Sequence, residues 1–385
     1  MNSSIPNFFG CQTTITPDNT NMRKTFRYRL NPNKPQIKAL TAILKLCCDL
    51  YNDARYLKEW VYKVSGTNHY SYPFFKHRKP YNSLHSQVLC DVLNRVDDTY
   101  KAFFRRVKQR QTPGYPRYKS FDRYDSFTYP QKGFKVNGNR LCLSKVGHIK
   151  IKLHRPIEGK IKTLTIRRQC GKWYACFSCE VQPKPLPPNS NEIGVDMGLM
   201  SFVATSKGEV IKNPRHFKKN EKKIVKINQS LSRKKRGSKR RYKVKLALRK
   251  VHQKVRNQRE NFQHKLSRSI VNTNRLIAIE DLNTKQMIMK GTTKLSKSIG
   301  ETAWTSFINK LLYKAEEAGR LVIKVNPAYT SQTCLCGASV PKTLKDRKHV
   351  CKECGLVEDR DIVSAQIILQ RARVEPSYLL REASL

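Results

Sequence analysis

The sequence predicts a small β-barrel that carries an inserted helical lobe, followed by an α/β domain. Three observations support this expectation. Residues 24–30 (KTFRYRL) and several short runs between 135 and 181 alternate apolar and polar positions, the period of half-buried strands. Two stretches between them repeat apolar residues every three and four positions, the period of helices. Beyond a Pro-rich linker at 183–191 (PKPLPPNSN), short apolar runs alternate with longer helical ones, the order of an α/β domain.

The first strand is closed by 31–35 (NPNKP), which breaks the alternation and starts a helix. Ile37, Leu40, Leu44, Cys47, Tyr51 and Ala54 form its apolar stripe. Val88, Val92, Val96, Tyr100 and Phe103 form a second stripe over 86–109. Both stripes read as core, and the two helices are expected to pack together. The segment 112–116 (TPGYP) ends the lobe. An Asn137-Gly138 turn then marks a hairpin over 135–143, and Cys170-Gly171 another over 164–181. The strand at 24–30 is expected to join these, which makes the helical lobe an insertion.

After the linker, 193–195 reads as a strand ending at Asp196, and 202–204 with 209–211 as a hairpin turning at Gly208. A basic helical stretch, 212–259, holds 21 Lys or Arg and one acid, Glu221. Val244, Leu248, Val251 and Val255 mark its buried stripe, and Gly237-Ser238 divides it into a helical pair. A strand over 276–279 ends at Glu280. A helix over about 301–319, a strand over 321–325 and a last helix from about Asp361 follow, and 373–385 reads as a loose tail. Three strands in a meander, then helix, strand, helix, strand, is the element order of an RNase H-type α/β fold.

Of the 385 residues, 77 are Lys or Arg and 28 are Asp or Glu, a formal net charge of +49. That length suggests two or three domains at ~100–200 residues each. A hydrophobic fraction of 38%, with 17 Tyr, 15 Phe and 3 Trp, is enough for packed cores and argues against a wholly disordered basic chain. So large a charge repels itself unless a polyanion neutralises it. That points to nucleic acid and away from small-molecule enzymes. No apolar run reaches ~18 residues, so no membrane partner is expected. Residues 1–21 lack the apolar stretch of a signal peptide and read as a flexible extension, with Met22 as an alternative start. A cytoplasmic location is expected, at the nucleoid if the source is prokaryotic.

Three acids sit at element ends: Asp196 (GVDMG), Glu280 (IAIED) and Asp361 (DRDIVSA). One strand-end acid is commonly a turn former or cap. Three in this order point to a site, because strands lying side by side bring their ends to one edge. Acids gathered there repel one another unless a cation binds them, and hard oxygen ligands select Mg²⁺ or Mn²⁺. Two such ions ~3.5–4 Å apart can activate water and stabilise the leaving oxygen of a phosphodiester. Asp281 and Asp359 compete for these roles, although alternation along a strand turns Asp281 away from Glu280.

Of the twelve Cys, eight are scattered and suit reduced thiols. The other four, Cys334, Cys336, Cys351 and Cys354, are clustered. Two Cys pairs across a short loop read as a structural Zn²⁺ site holding a hairpin too small to fold alone. Cys351 and Cys354 have the usual C-x₂-C spacing. Cys334 and Cys336 are one residue short, and His349 is the reserve ligand.

The tags GVDMGL (194–199), IAIEDL (277–282), TSQTC (330–334), and CKECG with DRD (within 351–361) are joined by YRLNPNK (28–34), CCDLYN (47–52) and PGYPRYKS (113–120). In this order they resemble the TnpB family, transposon-associated nucleases related to the type V CRISPR effectors. The resemblance implies an RNA-guided DNA endonuclease with a RuvC-like domain, whose catalytic acids match Asp196, Glu280 and Asp361. It implies a wedge β-barrel (22–33 and 117–184), a helical recognition lobe (34–116), a RuvC-like domain (192–329 and 357–372) and a zinc-binding hairpin (330–356). It further implies a guide RNA from the transposon end, a double-stranded DNA target beside a short motif, two Mg²⁺, one structural Zn²⁺ and a monomeric ribonucleoprotein. Tyr51, Asn52, Ser86 and Gln87 fall where the family reads the adjacent motif. Val363 and Ile367 depart from it, standing where the family tends to have Asn.

The basic stretch is expected to lie against phosphates, with Arg233, Lys234, Lys235, Arg236, Lys239, Arg240 and Arg241 at its centre. A charge run is commonly a solvated face, but a +20 excess over 48 residues is hard to keep bare. Aromatics interleaved with bases over 115–129 suit either stacking on unpaired RNA bases or a β-core. Two rival readings are a nuclease-silent, guide-bound repressor and a strand-transferring transposase of the same fold.

Overall fold

The structure, a computed structural model, describes residues 22–67, 72–343 and 346–375. The extension at 1–21 and the tail beyond 375 lie outside the described residues. The chain divides into two compact units, Met1–Gln182 and Pro183–Leu385. Among the described residues no helix is long and apolar enough to cross a membrane.

The first unit opens with β1 (Met22–Asn31), in which Met22, Phe26, Tyr28 and Leu30 are buried and their neighbours are not. α1 (Lys34–Ser65) begins at a capping box. The Asn33 side chain accepts from the Gln36 N–H at 2.9 Å, and the Gln36 side chain accepts from the Asn33 N–H at 3.0 Å. It ends at Gly66, whose φ of 68° is the left-handed cap conformation. α2 (Tyr72–His77) and α3 (Ser86–Lys108) follow. Then come β2 (Ser126–Tyr129), β3 (Phe134–Asn137), β4 (Arg140–Leu143), β5 (Gly147–Lys152), β6 (Lys160–Gln169) and β7 (Lys172–Val181).

These seven strands form one antiparallel, nearly closed sheet in the order β2-β6-β7-β1-β5-β4-β3. β1 is internal to it, so the helices between β1 and β2 interrupt the sheet in sequence. One core joins both parts: Phe26, Tyr28, Phe127 and Phe177 of the sheet with Leu40, Leu44, Tyr51 and Val92 of the helices. Ile37, read as part of the buried stripe, is 42% exposed. It sits in the first turn of α1, and burial begins only at Leu40. The aromatic run over 115–129 divides. Tyr124, Phe127 and Tyr129 are buried, while Tyr115 and Tyr118 are exposed, with the Arg55 guanidinium 4.1 Å from the Tyr118 ring centre.

The second unit holds β8 (Glu192–Asp196), β9 (Ser201–Thr205), β10 (Val210–Lys212), α4 (His216–Ser232) and α5 (Lys239–Thr273). After these come β11 (Leu276–Glu280), α6 (Thr284–Lys290), α7 (Thr293–Thr302), α8 (Trp304–Ala318), β12 (Leu321–Val325), β13 (Lys348–Val350), β14 (Val357–Asp359) and α9 (Arg360–Arg373). The sheet order is β10-β9-β8-β11-β12. β8, β11 and β12 are parallel, and β9 runs antiparallel between β8 and β10. β11 is buried at every position, as a parallel strand covered on both faces must be.

Two expectations are corrected. The helix placed over about 301–319 begins only at Trp304. Ala303, at a left-handed φ of 53°, separates α8 from α7. The basic stretch is not helical at 212–215, and α5 runs past residue 259 to Thr273 because Gln263, Ser267, Ile270 and Val271 continue its buried face.

α9 packs directly on β8. A Cβ added to Gly194 would meet the Ala365 carbonyl oxygen at 1.9 Å, so only glycine permits this approach. Gly194→Ala is therefore expected to cost about 3 kcal/mol. Gly300, inside α7, has nothing within 4 Å of an added Cβ. Gly300→Ala is expected to gain about 0.5–1 kcal/mol from helix propensity alone. Denaturant melts of the two variants read opposite signs if α9 is seated as described.

Candidate active site

Parallel pairing of β8 with β11 aligns Val195 with Ile279, so Asp196 and Glu280 follow side by side at the ends of neighbouring strands. α9 supplies the third acid. From Ala365, which touches Gly194, one helical turn back reaches Asp361, and two strand residues forward reach Asp196. Asp359 caps α9, its carboxylate accepting from the Asp361 N–H at 2.8 Å. Asp281 faces elsewhere, 3.3 Å from the Lys324 ammonium. Both competing acids thus have separate partners.

Glu280 is 7% exposed and accepts a 2.6 Å hydrogen bond from the Thr330 hydroxyl. Burial raises its pKa, against that hydrogen bond and the charge of Arg371. Asp361 accepts from the Arg360 guanidinium at 3.1 and 3.2 Å, with Arg347 3.7 Å away. Burial, then the charges of Glu280 and Asp361, push the Asp196 carboxyl up to about 8, against Arg360 and the Met197 N–H. Burial and two neighbouring carboxylates together drive Asp196 towards protonation, and oxygen donors of this kind are the chemistry a hard divalent cation selects.

Thr330, Arg347, Arg360 and Arg371 are the residues that sequence reasoning passed over. Thr330 and Arg360 lay inside tags read only for their neighbours. The Arg371 Nη1 donates to the Asn326 and Ala328 carbonyls at 2.9 and 2.7 Å and so ties the loop after β12 to α9. Val363 and Ile367 are buried on α9.

The four clustered thiols lie within 4.8 Å of one another, with Cys334–Cys354 at 3.6 Å and Cys336–Cys351 at 3.7 Å. Metal–sulfur bonds of ~2.3 Å in a tetrahedron place sulfurs about 3.8 Å apart, so the set fits Zn²⁺. A glycine at positive φ follows each pair, Gly337 at 88° and Gly355 at 72°, and turns the chain back beneath the sulfurs. The Cys351 thiol is pulled down to about 7, first by the Cys354 backbone N–H. His349, the reserve ligand, is fully buried against Lys342, outside the four-sulfur group.

Of the basic residues, Arg233, Lys235, Arg236, Lys239 and Arg240 are exposed around the turn between α4 and α5, and Lys234 is half-buried. Arg241 donates to the Leu231 and Lys234 carbonyls at 2.5 and 3.0 Å and so holds that turn. In the first unit, Tyr51 is buried under the Lys119 ammonium. Asn52 makes two 2.9 Å hydrogen bonds with the Lys119 backbone. Gln87 accepts from the Gln131 and Lys132 N–H groups at 3.0 and 2.6 Å, and Ser86 opens α3 beside it.

Fold and site define a class first: an α/β protein whose parallel strands end in a carboxylate cluster, with a four-thiol hairpin before the helix that bears the third acid. A family model described as a probable transposase, OrfB_IS605, matches residues 176–290, and the Cas12f1-like TNB domain matches residues 304–368. The putative RNA-guided DNA endonuclease InsQ of Escherichia coli K12 is 30% identical over 302 residues, 74% of each chain. A putative RNA-guided DNA endonuclease of Streptomyces pristinaespiralis is 32% identical over 292 residues, 74% of this chain and 71% of that one. The TnpB-like protein L770 of Acanthamoeba polyphaga mimivirus is 30% identical over 255 residues, 63% of this chain and 48% of that one. The chain belongs to the TnpB family.

The raised Asp196 has a consequence for stability. An acid whose folded pKa lies above its unfolded value holds its proton more tightly when folded, so ionisation costs stability. That cost is absent below about pH 4 and grows as pH rises to about 8. In divalent-free buffer, stability is expected to fall between pH 5 and pH 8. Asp196→Asn is expected to remove most of the fall, roughly 2–5 kcal/mol at the upper end. Equal slopes for the two proteins in thermal melts count against the carboxylate cluster.

Proposed function

We propose that the chain is an RNA-guided DNA endonuclease with a RuvC-like, RNase H-type nuclease domain and a wedge barrel bearing a helical recognition lobe. The observation that supports this reading is that Asp196 and Glu280 end neighbouring parallel strands, with Asp361 near enough for its charge to raise the Asp196 carboxyl. The family relationship and the net charge of +49 support it. In this reading the three acids are the catalytic carboxylates and hold two Mg²⁺. When bound, the ions supply an activated water and charge stabilisation at the scissile phosphodiester. Thr330 orients Glu280, and Asp359 orders the first turn of α9 so that Asp361 faces the same place. Arg360 and Arg347 hold the Asp361 carboxylate until the cation competes for it.

The guide RNA comes from the transposon end, and the target is double-stranded DNA beside a short motif. Pairing with the guide reads the remaining sequence. Arg233, Lys234, Lys235, Arg236, Lys239 and Arg240 contact phosphates, and Arg241 braces their turn. Tyr51, Asn52, Ser86 and Gln87 shape the surface that reads the motif. The working particle is one protein chain with one RNA.

The test is cleavage of a plasmid library with randomised flanks by protein co-purified with RNA transcribed from its own locus, with Mg²⁺ present. Guide-dependent cutting beside one motif, lost at least 10²-fold in Asp196→Ala, Glu280→Ala and Asp361→Ala, is the expected result. Guide-dependent binding without cutting identifies a repressor instead. Cutting that needs no guide identifies a transposase-like enzyme.

Zn²⁺ held by Cys334, Cys336, Cys351 and Cys354 is structural in this reading, because four protein ligands leave no open position. Elemental analysis is expected to find one zinc per chain. Cys351→Ser, or prolonged chelation, is expected to lower the melting temperature and abolish cleavage, with recovery on added Zn²⁺ in the chelated protein. A zinc-free protein with full activity removes this assignment.

A further inference from the structure

The loop that joins β12 to the thiol hairpin is braced almost throughout. Arg371 holds the carbonyls of Asn326 and Ala328. The Ser364 hydroxyl donates to that of Ser331 at 3.0 Å, and the Lys342 ammonium donates to the Ser331 carbonyl at 3.1 Å. The Tyr329 carbonyl accepts from the Thr333 hydroxyl at 2.9 Å and the Gln332 N–H at 3.0 Å. Thr330 donates to Glu280. The exception is the side chain of Tyr329. It is 74% exposed and has no hydrogen-bond or ring partner among the described residues.

Tyr329 also has a φ of 60°, in the left-handed region that a bulky side chain seldom adopts. Glycine would hold this turn without strain. An aromatic ring here buries almost nothing, so packing does not account for the strain. Strained backbone of this kind gathers at working sites, where surrounding structure over-determines it. The bracing by Arg371, Ser364 and Lys342 is such an over-determination. One residue along, Thr330 grips Glu280, which places the Tyr329 backbone at the rim of the carboxylate cluster.

We infer that Tyr329 is a substrate-contacting residue, a rigid ledge on which an unpaired base of the DNA strand at the acid site stacks. A tyrosine face accepts any base, which suits an enzyme whose sequence reading is delegated elsewhere. The assignment of the strand as DNA rests on the endonuclease reading above.

The test uses the guide-loaded protein and a target carrying 2-aminopurine at successive positions of each DNA strand. Asp196→Asn prevents cutting during the measurement. Fluorescence is expected to be quenched at one or two neighbouring positions, and Tyr329→Ala is expected to restore it there alone. In the cutting enzyme, Tyr329→Ala is expected to raise the half-saturating concentration of a target with a short unpaired segment about tenfold, with little change in the saturated rate. Tyr329→Trp is expected to retain near-normal behaviour. Tyr329→Gly is expected to melt no lower than the parent, because it relieves the strained φ, and yet to cut as poorly as Tyr329→Ala. A purely structural role predicts the reverse pairing of stability and activity.

Unchanged quenching and unchanged saturation in Tyr329→Ala overturn the inference, and they do so without touching the endonuclease reading if Asp196→Asn still abolishes cutting. Quenching that depends on Tyr329 only with a 2-aminopurine-labelled guide RNA overturns the DNA assignment. A parent protein that never cuts, with Tyr329-dependent quenching on DNA, sinks the endonuclease reading and leaves the ledge standing.

Discussion

The contact between α9 and β8 at Gly194 is the constraint on which the candidate site depends. Two acids at the ends of adjacent parallel strands follow from sheet register alone. The third comes from a helix far along the chain and reaches them only if that helix lies almost on the strand backbone. The Ala365 carbonyl occupies the space a Cβ at position 194 would need. Burial of Val363, Ile367 and Ile368 fixes the rotation of α9 about its axis, and the Asp359 cap fixes where it starts. Asp361, the second residue of the helix, then has little freedom. The helix terminus also favours a negative charge at that position.

Such an arrangement opposes folding. Carboxylates brought together with little water raise one another's proton affinity, and the metal-free fold bears that cost. A dense run of cationic charge in the second unit lies elsewhere, around the turn between α4 and α5. The arginines near the acids are few and specific: Arg360 and Arg347 on Asp361, and Arg371 near Glu280. The two kinds of cation differ physically. Those on the turn are solvated and suited to a long polyanion that brings its own counterions to release. Those at the acids are held by carboxylates and carbonyls, and among the described residues none of them forms a hydrogen bond to Asp196, on which Arg360 acts through its charge alone.

Much of this was legible in the sequence where a strong period or a strong spacing existed. The strand at 24–30, the helices from 34 and 86, both hairpins of the first sheet and the strands ending at Asp196 and Glu280 have clear periods and clear turn residues. The four-thiol cluster has a spacing that little else explains. The segment between Glu280 and Trp304 was not legible. α6 buries no residue and α7 buries two, so neither has the stripe that marks a helix in a sequence. The break at Ala303 was hidden because alanine is the strongest helix former and here adopts a left-handed φ. Thr330 and Arg371 were invisible for a different reason. Their roles lie in hydrogen bonds to residues distant in the chain, and no local pattern records those.

The thiol hairpin stands where the chain leaves the last strand of the sheet and before it enters α9. Without it, a loop of 35 residues would separate β12 from Asp361, and loop-closure entropy would oppose seating the helix. Four thiols within 4.8 Å of one another, held by one cation, would shorten the effective loop to two braced turns. On one side it fixes the segment whose Thr330 holds Glu280. On the other, β14 runs directly into the Asp359 cap. The hairpin thus joins the second acid to the third through covalent chain and a few hydrogen bonds. A hairpin in this position is suited to fixing where Asp361 lies relative to Glu280.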